Sequence, residues 1–359
     1  MSAVIRPFSN VLSHSVSHIA LNPLVTAPLL WVLTQGPPEV RARLFSQFAS
    51  LRDPRRLTQI VKALKWLLAL SLVRTINAQL NRLALNAWRL KSEKGRWTWD
   101  QEVAVVTGGC SGFGERVCKR LINKGVTVAI LDIQQLPLSL QGYANIKFFA
   151  CDITKPTAVN SAAERIRATL GSPSILVNNA GIGSAHTILG TPDEYLHKIF
   201  DVNILSHFTL VKAFVPAMIA ANKGHVVTVA STASFLGVAG MVDYSCTKAA
   251  ALAFHEGLGQ ELREHHDAPK VLTTIVHPNW SKTSLLAPFE KTLQEGGTAF
   301  IDPDEVSDAI VNQIFSCAGG QLFLPQHFAR VSLLRGYPHW FQETIRAGAA
   351  RAVLPAVSK

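Results

Sequence analysis

Three residues near the middle of the chain have the types and spacing for acid–base work on an alcohol or a ketone. Tyr244 and Lys248 stand four apart, which on a helix stacks them about one turn from each other. A cation there favours the phenolate and draws a tyrosine down from its ordinary value of about 10. Ser231 precedes the pair across a glycine-containing loop, where its hydroxyl can hold a substrate oxygen beside the tyrosine. Tyrosine as proton donor or acceptor, lysine as tuner and serine as positioner equip an alcohol–carbonyl interconversion. The same spacing also fits a plain solvated helix face, so the reading rests on what lies upstream.

The β-branched run Val103–Thr107 suits a buried strand, and Gly108-Gly-Cys-Ser-Gly-Phe-Gly114 follows it directly, with Ser111 and Phe113 inside the loop. A helical pattern begins at Glu115. Strand, glycine turn and helix form the context of a dinucleotide site. The glycines let the backbone come close to a pyrophosphate, and the helix start supplies free N–H groups and positive potential. The glycine spacing differs from the commonest fingerprint, Gly-x-Gly-x-x-Gly. A second strand candidate, Val126–Leu131, ends at Asp132. An acid at that tip can bond the adenosine ribose hydroxyls and repel a 2′-phosphate. Neither Gly109 nor Cys110 is basic, so the pattern favours NAD over NADP.

Strand-like segments at 103–107, 126–131, 146–150, 174–178, 225–230, 271–276 and 321–324 alternate with helical ones near 113–124, 156–169, 192–221, 243–265 and 304–316. Such alternation predicts an α/β fold, a Rossmann doubly wound parallel sheet of about seven strands covered on both faces. Ligands then bind beyond the carboxyl ends of the strands, where each of these motifs terminates.

With Asn178-Asn-Ala-Gly181 lying between the glycine loop and Tyr244/Lys248, residues 101–325 resemble the short-chain dehydrogenase/reductase family. The resemblance implies that Thr107, Gly108, Ser111, Gly112, Phe113 and Gly114 form the cofactor loop. Asp152 and Ile153 fall at the adenine, and Asn179, Ala180 and Gly181 below the nicotinamide side. It further implies a catalytic tetrad of Asn203, Ser231, Tyr244 and Lys248, in which Asn203 holds a water of the proton relay and Lys248 also bonds the nicotinamide ribose. Pro278 and Thr283 match nicotinamide contacts, and Asn279 stands where the family usually has glycine. Asparagine tolerates a left-handed backbone better than most residues, so that turn can survive. Further likenesses at Phe214–Met218, Gly224–Ser231 and Ala253–Leu258 resemble the membrane-associated branch of retinol and 17β-hydroxysteroid dehydrogenases. That branch implies a lipophilic alcohol or carbonyl substrate (retinoid-, steroid- or fatty-alcohol-like), a homodimer, and residence at endoplasmic reticulum membrane or lipid droplet. The alternative from another class is a non-catalytic nucleotide-binding scaffold at such a surface.

Three parts follow from these limits: a helical extension over 1–98, a catalytic domain over 99–325 and a helical tail over 326–359. Residues 1–100 hold 14 Lys and Arg against 4 Asp and Glu, which accounts for +10 of the chain's +11. Pro7–Pro38 holds no charged residue, and Ile19–Leu33 is strongly apolar but carries Pro23 and Pro28. Leu57–Leu90 is helical in composition, its Leu, Val and Trp interrupted by Lys62, Lys65, Arg74, Arg82 and Arg89. Apolar residues with basic flanks and Trp suit a helix lying at an anionic membrane interface rather than nucleic acid. Ordinary packing on the catalytic domain is the plainer alternative. The segment Trp280–Phe300 is predicted to cover the substrate, with Leu285, Leu286, Phe289 and Leu293 as apolar lining. Cysteines at 110, 118, 151, 246 and 317 have no paired spacing, which fits a reducing compartment and no metal.

Overall fold

The computed structural model describes residues 19–287, 290–354 and 357. The chain divides into two compact units, Met1–Ala84 and Leu85–Lys359.

The first unit is helical. Helix α1 (Pro23–Gln35) starts where Asn22 accepts a hydrogen bond from the Leu24 N–H, and Pro23 takes the first position, where no N–H is needed. Gly36 and Pro37 end it, and α2 (Pro38–Gln47), α3 (Ala49–Arg52) and α4 (Pro54–Leu85) follow. The basic residues of the 57–90 segment do not break α4, because Lys and Arg are good helix formers. Leu24, Trp31, Trp66, Val73 and Ile76 of this unit are exposed.

The second unit is a seven-stranded, all-parallel sheet. Its strands are β1 (Val103–Thr107), β2 (Thr127–Asp132), β3 (Ile146–Ala150), β4 (Ile175–Asn178), β5 (Gly224–Val229), β6 (Val271–Pro278) and β7 (Gly320–Leu324). They lie in the order β3-β2-β1-β4-β5-β6-β7. The chain winds outward from β1 to β3, then returns to β4 beside β1, so the order reverses at the β1/β4 edge. At such a reversal the two flanking crossovers leave a crevice for a ligand.

Side chains alternate across the sheet, so β1 sends Ala104 and Val106 into one core and Val105 into the other. The first core is closed by α5 (Gly112–Ile122) and α11 (Pro303–Ser316). The second is closed by α6 (Pro156–Leu170) and the helical run α7 (Asp193–Phe200), a π turn at Asp201–Leu205 and α8 (Ser206–Ala221). That 193–221 run is long and apolar enough to cross a bilayer, but its Leu210, Phe214 and Met218 are buried in the second core. Helix α9 (Val242–Gln260) crosses the same face, and the short α10 (Glu290–Glu295) stands beyond β6. After β7 the chain forms a 3₁₀ segment, Gln326–Gly336, and α12 (His339–Val353).

Candidate active site

The carboxyl ends of β1, β2, β4, β5 and β6 open into one cavity of about 1000 Å³. All the candidate residues line it except Thr107, Gly114 and Asn203, which lie directly beneath its wall. Thr107 ties β1 to the end of β4. Its hydroxyl donates to the Val177 carbonyl (3.3 Å) and accepts from the Asn179 and Ala180 N–H groups (3.0 and 3.1 Å). Asn179 returns the bond, its amide donating to the Thr107 and Gly108 carbonyls (2.9 and 3.1 Å). Asn179 therefore braces the glycine loop with its side chain and faces the cavity with its remaining surface.

Gly108, Gly109 and Gly114 of this loop have no room for a side chain. A Cβ at Gly114 would fall 2.1 Å from the Gly108 carbonyl oxygen, and Gly108 and Gly112 have φ of 63° and 57°. Glycine is the residue such backbone favours, and the result is a backbone cradle at the start of α5. At the tip of β2 the Asp132 carboxylate accepts from the Cys110 and Gln134 N–H groups, each at 2.9 Å. Asp152 is held likewise by the Thr154 N–H and hydroxyl. A cradle of free N–H groups at a helix start, with a fixed acid 18 residues beyond the last glycine, fits a nicotinamide dinucleotide.

Across the switch point, Tyr244 occupies the first turn of α9 and Lys248 the next, with the ammonium 5.6 Å from the phenol ring centroid. The Tyr244 ring lies 3.2 Å from where a Cβ on Gly183 would be, and a Cβ on Gly181 would lie 3.4 Å from Asn203 Oδ1 and 3.6 Å from Lys248 Nζ. Residues drawn from three elements thus meet within a few ångströms.

Lys248 and Asn203 are both held by backbone groups. The Lys248 Nζ donates to the Val229 carbonyl (2.9 Å), and burial lowers it to about 8. Burial pushes the Tyr244 hydroxyl up to about 12, and the opposing pull comes from the Ser231 hydroxyl. Asn203, in turn, spends its side chain on the backbone of Ile182, accepting from its N–H and donating to its carbonyl, both at 2.9 Å, with a further bond to Thr247 Oγ1 (3.1 Å). It sits at the centre of the π turn, where regular i→i−4 bonding is interrupted.

Ser231 opens a 3₁₀ turn over Thr232–Ser234 and accepts the Ala233 N–H at 3.2 Å. Asn279 is not left-handed, since the described non-glycine residues with positive φ are Ala87, Trp88, Asn222, Asp267 and Cys317. Its carboxamide oxygen instead accepts from the Thr232 hydroxyl (3.3 Å). Of the predicted lid residues, Leu285 and Leu286 line the cavity, Leu293 is buried in the small core beside it, and Phe289 lies outside the described residues.

Sequence reasoning missed the remaining wall. Phe328, Val331, Leu334, Tyr337, Phe341 and Ile345, from the 3₁₀ segment and α12, line the cavity, and α12 packs beside the lid through Val353. It also missed His277, a fully buried histidine at the end of β6 whose Nδ1 lies 3.0 Å from the Ser231 carbonyl oxygen. Only its placement one residue before Pro278 hints at it.

The short chain dehydrogenase family profile matches residues 102–294. Dehydrogenase RED2 of Cochliobolus heterostrophus is 39% identical over 201 residues, covering 56% of this chain and 75% of that protein. Epidermal retinol dehydrogenase 2 of Mus musculus is 33% identical over 197 residues, 52% of this chain and 60% of its own length. Estradiol 17-beta-dehydrogenase 11 of Homo sapiens is 31% identical over 239 residues, 65% and 78% of the two chains. Among solved structures, 3-ketoacyl-(acyl-carrier-protein) reductase from Brucella melitensis, complexed with NADH, superposes with a TM-score of 0.55 at 25% identity, covering 63% of this chain and 98% of that one.

Proposed function

The chain belongs to the short chain dehydrogenase family, in the branch with retinol and estradiol 17-beta-dehydrogenases, and on that premise we propose an NAD-dependent dehydrogenase of lipophilic alcohols and ketones at a membrane surface. One observation carries this reading: Ser231, Tyr244 and Lys248 line the same cavity as the glycine cradle, and most of its outer wall is apolar.

In this reading the glycine loop holds the pyrophosphate, Asp132 the adenosine ribose, Asp152 and Ile153 the adenine. Lys248, Pro278 and Thr283 take the nicotinamide end. The bound nicotinamide supplies the hydride acceptor in oxidation and the donor in reduction. Ser231 steadies the substrate oxygen by a hydrogen bond. Tyr244 accepts the alcohol proton in oxidation and returns it to the carbonyl oxygen in reduction. Asn203 fixes Ile182 and the wall under Gly181, and a water relay from Lys248 would use backbone carbonyls loosened by the π turn, since the Asn203 amide is already engaged.

Preference for NAD is supported by Asp132 and by the absence of Lys and Arg among the described lining residues from Gly108 to Gln134 and Cys151 to Ile153. A 2′-phosphate there would face a carboxylate with no counter-charge, a like-charge contact costing several kcal/mol. Asp132→Asn should raise the NADP-to-NAD ratio of kcat/KM at least about 10-fold. An unchanged ratio removes Asp132 from cofactor choice.

Membrane association is supported in the first unit by exposed Leu24 and Trp31 on an uncharged apolar helix and by exposed Trp66 and Val73 among basic residues. In the second unit, Leu333, Tyr337, Trp340 and Ile345 expose apolar surface in the same segment that walls the cavity, with Arg330, Arg335 and Arg351 among them. The full chain should float with phosphatidylserine vesicles. Trp31→Ser, Trp66→Ser and Trp340→Ser together should weaken binding about 10-fold or more, each Trp being a large interfacial anchor. Undiminished flotation would place the contact elsewhere. A homodimer is supported by exposed Leu205 and Phe208 on the 193–221 run, and a monomer in sedimentation velocity at micromolar concentration would refute it.

A further inference from the structure

Strands β5 and β6 pair as far as Val229 and Val276, and the Ala230 N–H then donates to the Val276 carbonyl (2.8 Å). Beyond that point the ladder is continued by side chains. His277 Nδ1 is 3.0 Å from the Ser231 carbonyl oxygen, and His277 Nε2 is 3.1 Å from the Gln321 side-chain nitrogen on β7. A carbonyl oxygen can only accept, so Nδ1 carries the proton. An amide nitrogen can only donate, so Nε2 is bare. Both contacts demand the same neutral tautomer.

The ring is also wedged between Phe235 (centroids 4.9 Å apart) and Phe323 (4.8 Å, near parallel at 21°). Phe235 closes the short turn that Ser231 opens, so one imidazole grips both ends of the turn. Filling this space would need only an apolar side chain. A fully buried imidazole with two directional bonds is a more demanding solution, because each polar atom must be satisfied on desolvation. The Ser231 hydroxyl itself donates to the Pro278 carbonyl over 3.4 Å, a contact long enough to give way to a substrate oxygen.

We propose that His277 is a positioning residue of the reaction: in its Nδ1–H tautomer it fixes the Ser231 backbone and thereby aims the serine hydroxyl at Tyr244 and the substrate oxygen. The proposal deepens the dehydrogenase reading and rests on it for its kinetic consequence. Burial holds the imidazole at about 4, with Lys248 and His255 facing it, so it stays neutral through the working range.

The test uses the full chain with NAD and estradiol or all-trans-retinol as probes, and three variants. His277→Leu removes the donor, His277→Asn keeps a donor at the δ position, and Gln321→Leu frees Nε2 without touching Ser231. His277→Leu should lower kcat roughly 10- to 100-fold, the cost of about an ångström of misplacement. NADH affinity should change much less than kcat, since the pyrophosphate and adenosine contacts are assigned to the ends of β1, β2 and β3 rather than to β6. The acid limb of the oxidation profile should move to higher pH, because Ser231 no longer draws Tyr244 down. His277→Asn should restore most of both. Equal losses in the Leu and Asn variants, or a loss with an unmoved limb, would overturn the proposal.

¹⁵N-histidine spectra give a readout independent of turnover and of whether the Leu variant folds. They should contain an Nδ1–H resonance that does not titrate between about pH 6.5 and 9, is absent from His277→Asn and shifts in Gln321→Leu. An Nε2–H tautomer at this position overturns the proposal. The expected tautomer in a wild-type protein that turns over neither probe would instead fault the substrate reading.

Discussion

Tyr244→Phe should lower turnover roughly 10³-fold or more in both directions while leaving NADH affinity within about 2-fold. The substitution removes one oxygen and keeps the ring that packs against Gly183, so the cavity wall survives. What is lost is the only proton donor that the reading assigns to the substrate oxygen, and a positioned general acid or base contributes typically about 10²- to 10⁴-fold. The direction of the tyrosine's shift adds a pH signature. Burial holds its hydroxyl up, at about 12, so at neutral pH the group is protonated and competent as an acid. Carbonyl reduction should therefore be nearly flat across neutral pH. Alcohol oxidation needs the phenolate and should climb with pH. Initial rates in both directions from pH 6 to 10 measure this. Full activity in the phenylalanine protein, or oxidation that falls as pH rises, would remove Tyr244 from the proton transfer. NADH binding with no turnover of any lipophilic alcohol by the wild-type protein would favour the scaffold alternative.

Much of this site is legible in the sequence because it sits where regular elements stop. Val103–Thr107 and Thr127–Asp132 are uninterrupted β-branched or aliphatic runs that end at glycine or acid, so their carboxyl ends can be placed to a residue, and the cofactor loop with them. The parallel order follows from strand–helix alternation. What stays hidden is interaction that has no period. The segment 326–354 mixes Arg, Trp and Leu because one side of α12 walls a cavity while another faces solvent, and neither stripe resembles a core helix. The π turn at Asn203 is one extra residue in a helical run, which leaves the composition unchanged. Lys248 is correctly placed by the four-residue spacing, yet its bond to the Val229 carbonyl depends on β5, 19 residues earlier. His277 reads as an ordinary strand residue until β7 supplies Gln321.

The chain should unfold in mild acid, and buried histidines should be the main cause. Burial lowers His207, His225 and His255 to about 3 and His277 to about 4. In the unfolded chain each titrates near 6.5. Between those values the unfolded state binds protons that the folded state refuses, so stability rises with pH across the window and is lost as pH falls below about 6.5. The slope reaches about 1.4 kcal/mol per pH unit for each histidine. From pH 7 to pH 5 each loses about 2 kcal/mol, and four together lose about 8 kcal/mol, comparable to the whole stability of an ordinary domain. Urea unfolding at pH 7, 6 and 5 should show the midpoint collapsing towards zero near pH 5. His207 is the place to test the cause. Its Nδ1 has no partner and its ring packs on Phe254, so phenylalanine can take its place with little loss of contact. His207→Phe should recover about 2 kcal/mol at pH 5 and almost nothing at pH 7, because only the proton-linked part is removed. A stability that is level from pH 7 to 5, or a His207→Phe effect equal at both, would show that these rings carry no proton-linked cost. The sign then bears on function: His277, held at about 4, charges only within a fold already failing, so loss of activity in mild acid should track unfolding rather than titration of the ring behind Ser231.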